Sequence, residues 1–181
     1  MNLGSVESLV YLYPEGALVL TILGIFIGDL LIKDKERLAN LALIGATLAL
    51  VFTSGLSVFG LRIVEGLQGS GEGWLFHRMI ALDSFAVFFK VILSLSLVGT
   101  VWMSIGSREI KGPNQGEYYG ILLASGLGMF FMSSATNLLV AYLSLEFVSL
   151  TSYVLTGYLT HNRRSGEAAL KYLIYLSLIH I

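Results

Sequence analysis

Five apolar stretches, and the start of a sixth, recur along the chain with short charged or polar breaks between them. They run roughly from Leu9 to Ile32, Leu38 to Gly60, Ile80 to Ile105, Glu117 to Met132 and Leu138 to Tyr158, and the sixth begins at Glu167. Each complete stretch is near the ~20 residues that a helix needs to cross the hydrocarbon core. A backbone in lipid must satisfy its own hydrogen bonds, which only helices and closed barrels do. The stretches are apolar on both faces, so the alternation of a barrel strand is excluded. The composition agrees: 55% of the residues are hydrophobic and 13% charged, where a soluble domain carries about a quarter charged. The expected fold is all-α, a polytopic transmembrane helical bundle with five complete spans and part of a sixth.

Several function classes drop out. The chain has no cysteine, which removes disulfides, thiolate zinc sites and cysteine-ligated iron–sulfur clusters. A formal net charge of -1 offers no basic face to nucleic acid. His77, His161 and His180 stand too far apart to form a metal site by spacing. Gly69-Ser70-Gly71-Glu72-Gly73 follows no soluble βαβ strand, so it reads as part of a flexible Gly-rich loop (Leu61 to Met79) rather than a nucleotide fingerprint. With the amino terminus outside, the inner loops hold seven basic residues, Lys33, Lys35, Arg37, Arg108, Lys111, Arg163 and Arg164, against Arg62 and Arg78 outside. That bias predicts the amino terminus outside. Nothing basic precedes the first stretch, which argues against a cleaved signal peptide.

Ionisable residues inside the stretches are functional candidates, because placing one at mid-bilayer costs roughly 2.5–3.5 kcal/mol on insertion scales. Glu146 is the sharpest of these, far from either end of its stretch. Tyr142, Glu146, Ser149 and Tyr153 share one helical face. Such a polar stripe fits either a protonatable relay carboxylate with a polar lining or a structural glutamate bonded to an adjacent helix. Lys90, deep in the third stretch, reads as a proton-relay cation, as the partner of Glu146, or as a lysine snorkelling to the interface. Lys171 stands four residues after Glu167, the favourable order for a surface helix pair, with Ser165 a candidate cap. Asp29 reads as an interface residue. Gly24-x-x-x-Gly28 and Gly116-x-x-x-Gly120 allow close helix approach.

The residues also carry a family likeness. The stretch from Glu117 through Tyr118, Tyr119 and Gly120 to Met129 resembles the fourth helix of subunit N of respiratory complex I, an antiporter-like proton-channel family. Asn137-Leu138-Leu139, Leu145-Glu146 and Tyr153-Val154-Leu155-Thr156-Gly157-Tyr158 resemble its fifth helix, and Arg164-Ser165-Gly166-Glu167-Ala168-Ala169-Leu170-Lys171-Tyr172 the start of its sixth. Pro14-Glu15 fits the first helix. The likeness covers most of the chain and is most specific over residues 117–175.

The resemblance implies a non-redox subunit of a proton-translocating NADH-quinone oxidoreductase with no catalytic centre of its own. It implies that Glu146 matches the family's fifth-helix glutamate and Lys171 the basic residue that begins the sixth helix; Lys90 has no family match. NADH, FMN, iron–sulfur clusters and quinone would be bound by other subunits, and this chain would hold no cofactor. Its partners would be the other membrane subunits, neighbouring antiporter-like ones included, and the lipid of a bacterial inner membrane. A subunit of an Mrp-type cation/proton antiporter and a non-transporting scaffold or assembly subunit remain the alternatives. The family's central lysines lie beyond residue 181. Leu176-Ser177-Leu178-Ile179-His180-Ile181 can be encoded by CTG TCT CTT ATA CAC ATC, the end of a transposase adapter used in sequencing libraries. Residues 1–175 are therefore expected to be the N-terminal part of one proton-channel domain, and residues 176–181 an artefact.

Overall fold

The structure, a computed structural model, describes residues 12–31, 35–55, 73–76, 78–112, 114–160 and 162–179. His77, His161, His180, Lys33, Arg62 and most of the Gly-rich loop lie outside them. Six helices and one hairpin are present among the described residues: α1 (Tyr13–Leu31), α2 (Glu36–Gly55), β1 (Gly73–Leu75), β2 (Ile80–Leu82), α3 (Ser84–Ile105), α4 (Gln115–Ser134), α5 (Leu138–Thr156) and α6 (Arg163–Ile179). The polytopic all-α architecture holds.

Four helices, α1, α2, α3 and α5, are long and apolar enough to cross a membrane, rather than the five expected. The difference is α4. It is 20 residues long, but its glycines, serines, tyrosines and Glu117 dilute its apolar character. It also sits at the centre of the bundle, packed on α1, α2, α3 and α5. Between helices in lipid there is no hydrophobic driving force, so close approach through small residues does the packing. Gly116 and Gly120 meet Asp29 and Phe26 of α1, Gly126 meets Leu97 of α3, and Gly128 meets Phe147 and Val148 of α5. α2 follows the same logic: Ala39, Ala42, Ala46 and Ala49 face inward while Ile44, Leu48 and Val51 face out.

The helix ends are set locally. Pro14 lies in the first turn of α1, where its missing N–H is not needed. Asp83 caps α3, its carboxylate accepting from the Ala86 amide at 2.7 Å. α3 therefore begins at Ser84 and not at Ile80, because residues 80–82 form β2, paired antiparallel with β1. Asn137 caps α5 by accepting from the Leu139 amide at 2.9 Å. At α6 the expected cap Ser165 instead donates to the Thr156 carbonyl at 2.8 Å, and Asn162 accepts from the Arg164 amide at 3.1 Å.

The hairpin closes one end of the bundle. Ile80 bridges Ala135, the Thr136 amide donates to the Met79 carbonyl at 3.1 Å, and the Thr136 hydroxyl donates to the Arg78 carbonyl at 2.6 Å. Leu75, Ile80, Leu82 and Val87 form a small apolar cluster there, with Leu12, Phe76 and Phe131 against it.

Candidate functional site

Helix α5 carries the expected stripe. Glu146 is half-buried midway along it and has no hydrogen-bond or ion-pair partner among the described residues. One turn before it Tyr142 is exposed. One turn after it Ser149 donates to the carbonyl of Leu145 at 2.9 Å, which satisfies the hydroxyl without a second helix. Tyr153 continues the stripe and meets Tyr172 of α6 edge-on, with ring centroids 5.1 Å apart. Ser152 donates to the Tyr172 hydroxyl at 3.4 Å. The polar face of α5 thus runs from Glu146 to the α6 helix beside Lys171.

Lys171 itself turns away from this face. Its Nζ lies 2.7 Å from Glu167 Oε1 in an exposed i, i+4 pair. Exposed helix pairs of this kind are worth about 0.3–0.5 kcal/mol, so the pair explains local geometry and little stability. The structure brings neither Lys90 nor Lys171 to Glu146.

Lys90 is instead locked to Glu15. The two are 2.5 Å apart, with side chains 1% and 3% exposed. A snorkelling lysine would reach the surface, and this one does not. The contact is ionic rather than an aligned hydrogen bond, and neither buried carboxylate oxygen of Glu15 has a hydrogen-bond partner among the described residues. One turn further along α3, Ser94 and Thr53 of α2 share a buried hydroxyl contact at 3.2 Å. Composition and spacing alone overlooked Glu15, because a carboxylate near the edge of an apolar stretch costs little to place. The available signal was charge balance at matching depth. Glu15 is the third residue of α1 and Lys90 the seventh of α3, and both helices start at the hairpin end.

At the opposite end, Asp29 pairs with Lys35 at 2.8 Å and lies against Gly116, in the first turn of α4. A carboxylate there complements the positive end of the helix dipole. Nearby, a cleft of about 360 Å³ is lined by residues including Lys111, Asn114, Tyr158 and Asn162. Burial pushes the Tyr158 phenol above its ordinary range, with Glu117 the next contribution. Among the described residues no group of three or more His, Asp or Glu side chains forms a metal site.

Residues 135–179, which hold α5 and α6, match the family described as NADH:quinone oxidoreductase/Mrp antiporter, transmembrane. The chain is 36% identical over 171 residues to NADH-quinone oxidoreductase subunit N of Anaeromyxobacter sp. (strain Fw109-5), covering 94% of this chain and 32% of that protein. It is 36% identical over 168 residues to NAD(P)H-quinone oxidoreductase subunit 2 of Microcystis aeruginosa, covering 90% of this chain and 30% of that one. Over 103 residues it is 50% identical to NADH-quinone oxidoreductase subunit N 2 of Chloroherpeton thalassium, covering 55% of this chain and 20% of that one. The chain thus spans about a third of the length of the first two of these curated relatives. Glu146 and Lys171 both fall inside the matched segment.

Proposed function

Because the chain belongs to the NADH-quinone oxidoreductase subunit N family, we propose that it serves as a membrane subunit of a proton-pumping NADH-quinone oxidoreductase. It carries proton translocation coupled to electron transfer that takes place in other subunits. The observation that supports this reading most is the half-buried carboxylate of Glu146 midway along α5, inside the matched segment and without a partner among the described residues. An intramembrane acid without a fixed counter-charge has a proton affinity that its surroundings can shift, by hydration on one side and by neighbouring charge on the other. Tyr142, Ser149 and Tyr153 line the same face and supply hydroxyls along which water can order. Lys171, beside the α5–α6 contact, biases that field when its pairing with Glu167 changes. Lys90, paired with Glu15 and apart from Glu146, is a second charge centre of the same subunit.

In this reading NADH, FMN, iron–sulfur clusters and quinone are bound by other subunits. The partners are the remaining membrane subunits, including adjacent antiporter-like ones. The chain lies in a bacterial inner membrane with its amino terminus outside, which puts the hairpin end outside as well. The family description spans both complex I and Mrp antiporters. The relatives named as quinone oxidoreductase subunits match over 90–94% of this chain, which favours the respiratory complex.

The test is Glu146→Gln in the assembled complex, with protons moved per electron and quinone reductase content measured together. The expected outcome is a reduced proton-to-electron ratio at unchanged reductase content. Unchanged pumping with reduced assembly would replace the proposal with the scaffold reading.

A further inference from the structure

The Glu15–Lys90 pair lies in a part of the bundle that the Glu146 stripe does not use. Helix α1 packs on α2 and α4, and α3 packs on the same two helices, so α1 and α3 stand across the diagonal of a four-helix arrangement. The two long side chains span that diagonal near the hairpin end. The pair is nearly sealed from solvent at 1% and 3% exposure. Val87 of α3, one turn from Lys90, and Leu12, just before α1, belong to the apolar cluster that covers it from the hairpin side.

A pair kept only to pin helices would be expected to satisfy both carboxylate oxygens, since a half-satisfied buried ion pair is a poor stabiliser. Here neither carboxylate oxygen has a hydrogen-bond donor among the described residues, and it is Oε1 that stands in ionic contact with Lys90. A buried polar atom left bare in a folded protein calls for a reason, and one such reason is that the atom binds something during function. The next turn of α3 and the facing part of α2 bring hydroxyls. Thr53 and Ser94 contact each other, and both also donate to carbonyls of their own helices. The other ionisable groups on the hairpin-side halves of these elements are Tyr13, Asp83 and Arg78 among the described residues. Asp83 is committed to capping α3, and Arg78 sits in the exposed hairpin turn.

We propose that Glu15 and Lys90 form a proton-holding site at the hairpin end of the bundle, separate from Glu146, with Glu15 Oε2 as the atom that accepts the proton. A proton arriving on hydronium forms an O–H bond at Oε2 as one O–H bond of the hydronium breaks, leaving water. Lys90 keeps its own proton, and the pair passes from net zero to a single positive charge. Release to water breaks the same O–H bond and restores the ion pair. This site rests on the reading of the chain as a proton-translocating subunit.

The decisive variant is the double substitution Glu15→Leu with Lys90→Met in the assembled complex. It removes both charges together, and apolar replacement of a whole buried pair is commonly tolerated. The expected result is normal quinone reductase content with a proton-to-electron ratio lowered as far as Glu146→Gln lowers it. An infrared difference spectrum between the resting and the turning-over complex is expected to show a protonated-carboxyl band in the unmodified complex that the double variant loses. A double variant that pumps at the unmodified ratio, or that fails to assemble, overturns the proposal. Loss of pumping in Glu146→Gln but not in the double variant defeats this site alone, whereas normal pumping in Glu146→Gln defeats the wider reading.

Discussion

At the scale of single residues, Gly116 fits closely against the carboxylate of Asp29. A Cβ on residue 116 would overlap that carboxylate, which Lys35 holds from the other side at 2.8 Å. Gly116→Ala is therefore expected to destabilise the α1–α4 contact by about 1–3 kcal/mol, the usual cost of forcing atoms into a packed site. Gly16→Ala, with nothing within 4 Å of its added methyl, is the control and is expected to be neutral. Thermal unfolding of the two variants in the same detergent checks both. The sequence marked Gly116-x-x-x-Gly120 as a close-approach pattern, and both glycines do meet α1. It could not say that the approaching group is a carboxylate, because spacing reports which residues share a face and not what stands opposite. The same limit hid Glu15 behind Lys90. Lysine deep in an apolar stretch announces itself, while its counter-ion, on a helix distant in sequence, looks like an ordinary interface acid.

Among the helices, α4 is the most enclosed by protein, and unlike α1, α2, α3 and α5 it is not apolar enough to count as a span on its own. Placed alone in a membrane-insertion assay, Gln115–Ser134 is expected to insert poorly, whereas Ser84–Ile105 inserts on its own. Insertion of both alone at equal efficiency would mean that α4 does not depend on its neighbours. Apolar length made α1, α2, α3 and α5 readable, because lipid-facing helices must be apolar over a full span. α4 reads as a span by the same apolar-run argument, over Glu117 to Met132, but its small residues are the mark of a helix surrounded by helices. The hairpin was less legible: Ile80-Ala81-Leu82 continues smoothly into the apolar run, and only the capping carboxylate of Asp83 divides strand from helix. Asp83→Ala is expected to cost about 1 kcal/mol by uncapping α3, read as a lowered unfolding temperature.

For the molecule as a whole, the bundle turns its bulk outward. Leu20, Leu30, Trp102 and Met103 are at least 72% exposed, while the neighbouring Leu18 and Val101 are fully buried. A photoactivated apolar reagent dissolved in the bilayer is expected to label the first group and spare the second. Labelling of Val101 as strongly as Trp102 would contradict this packing. α5 is the outlier: only 6% of its most apolar stretch is buried, against 28–39% for α1, α2 and α3. Its ends are nonetheless tied. Thr136 is hydrogen-bonded to the hairpin through both amide and hydroxyl, and at the far end Ser165 of α6 holds the Thr156 carbonyl. The hairpin therefore anchors the start of α5. Displacing α5 along its axis would break both bonds at residue 136 and carry α6 with it through the Thr156 carbonyl.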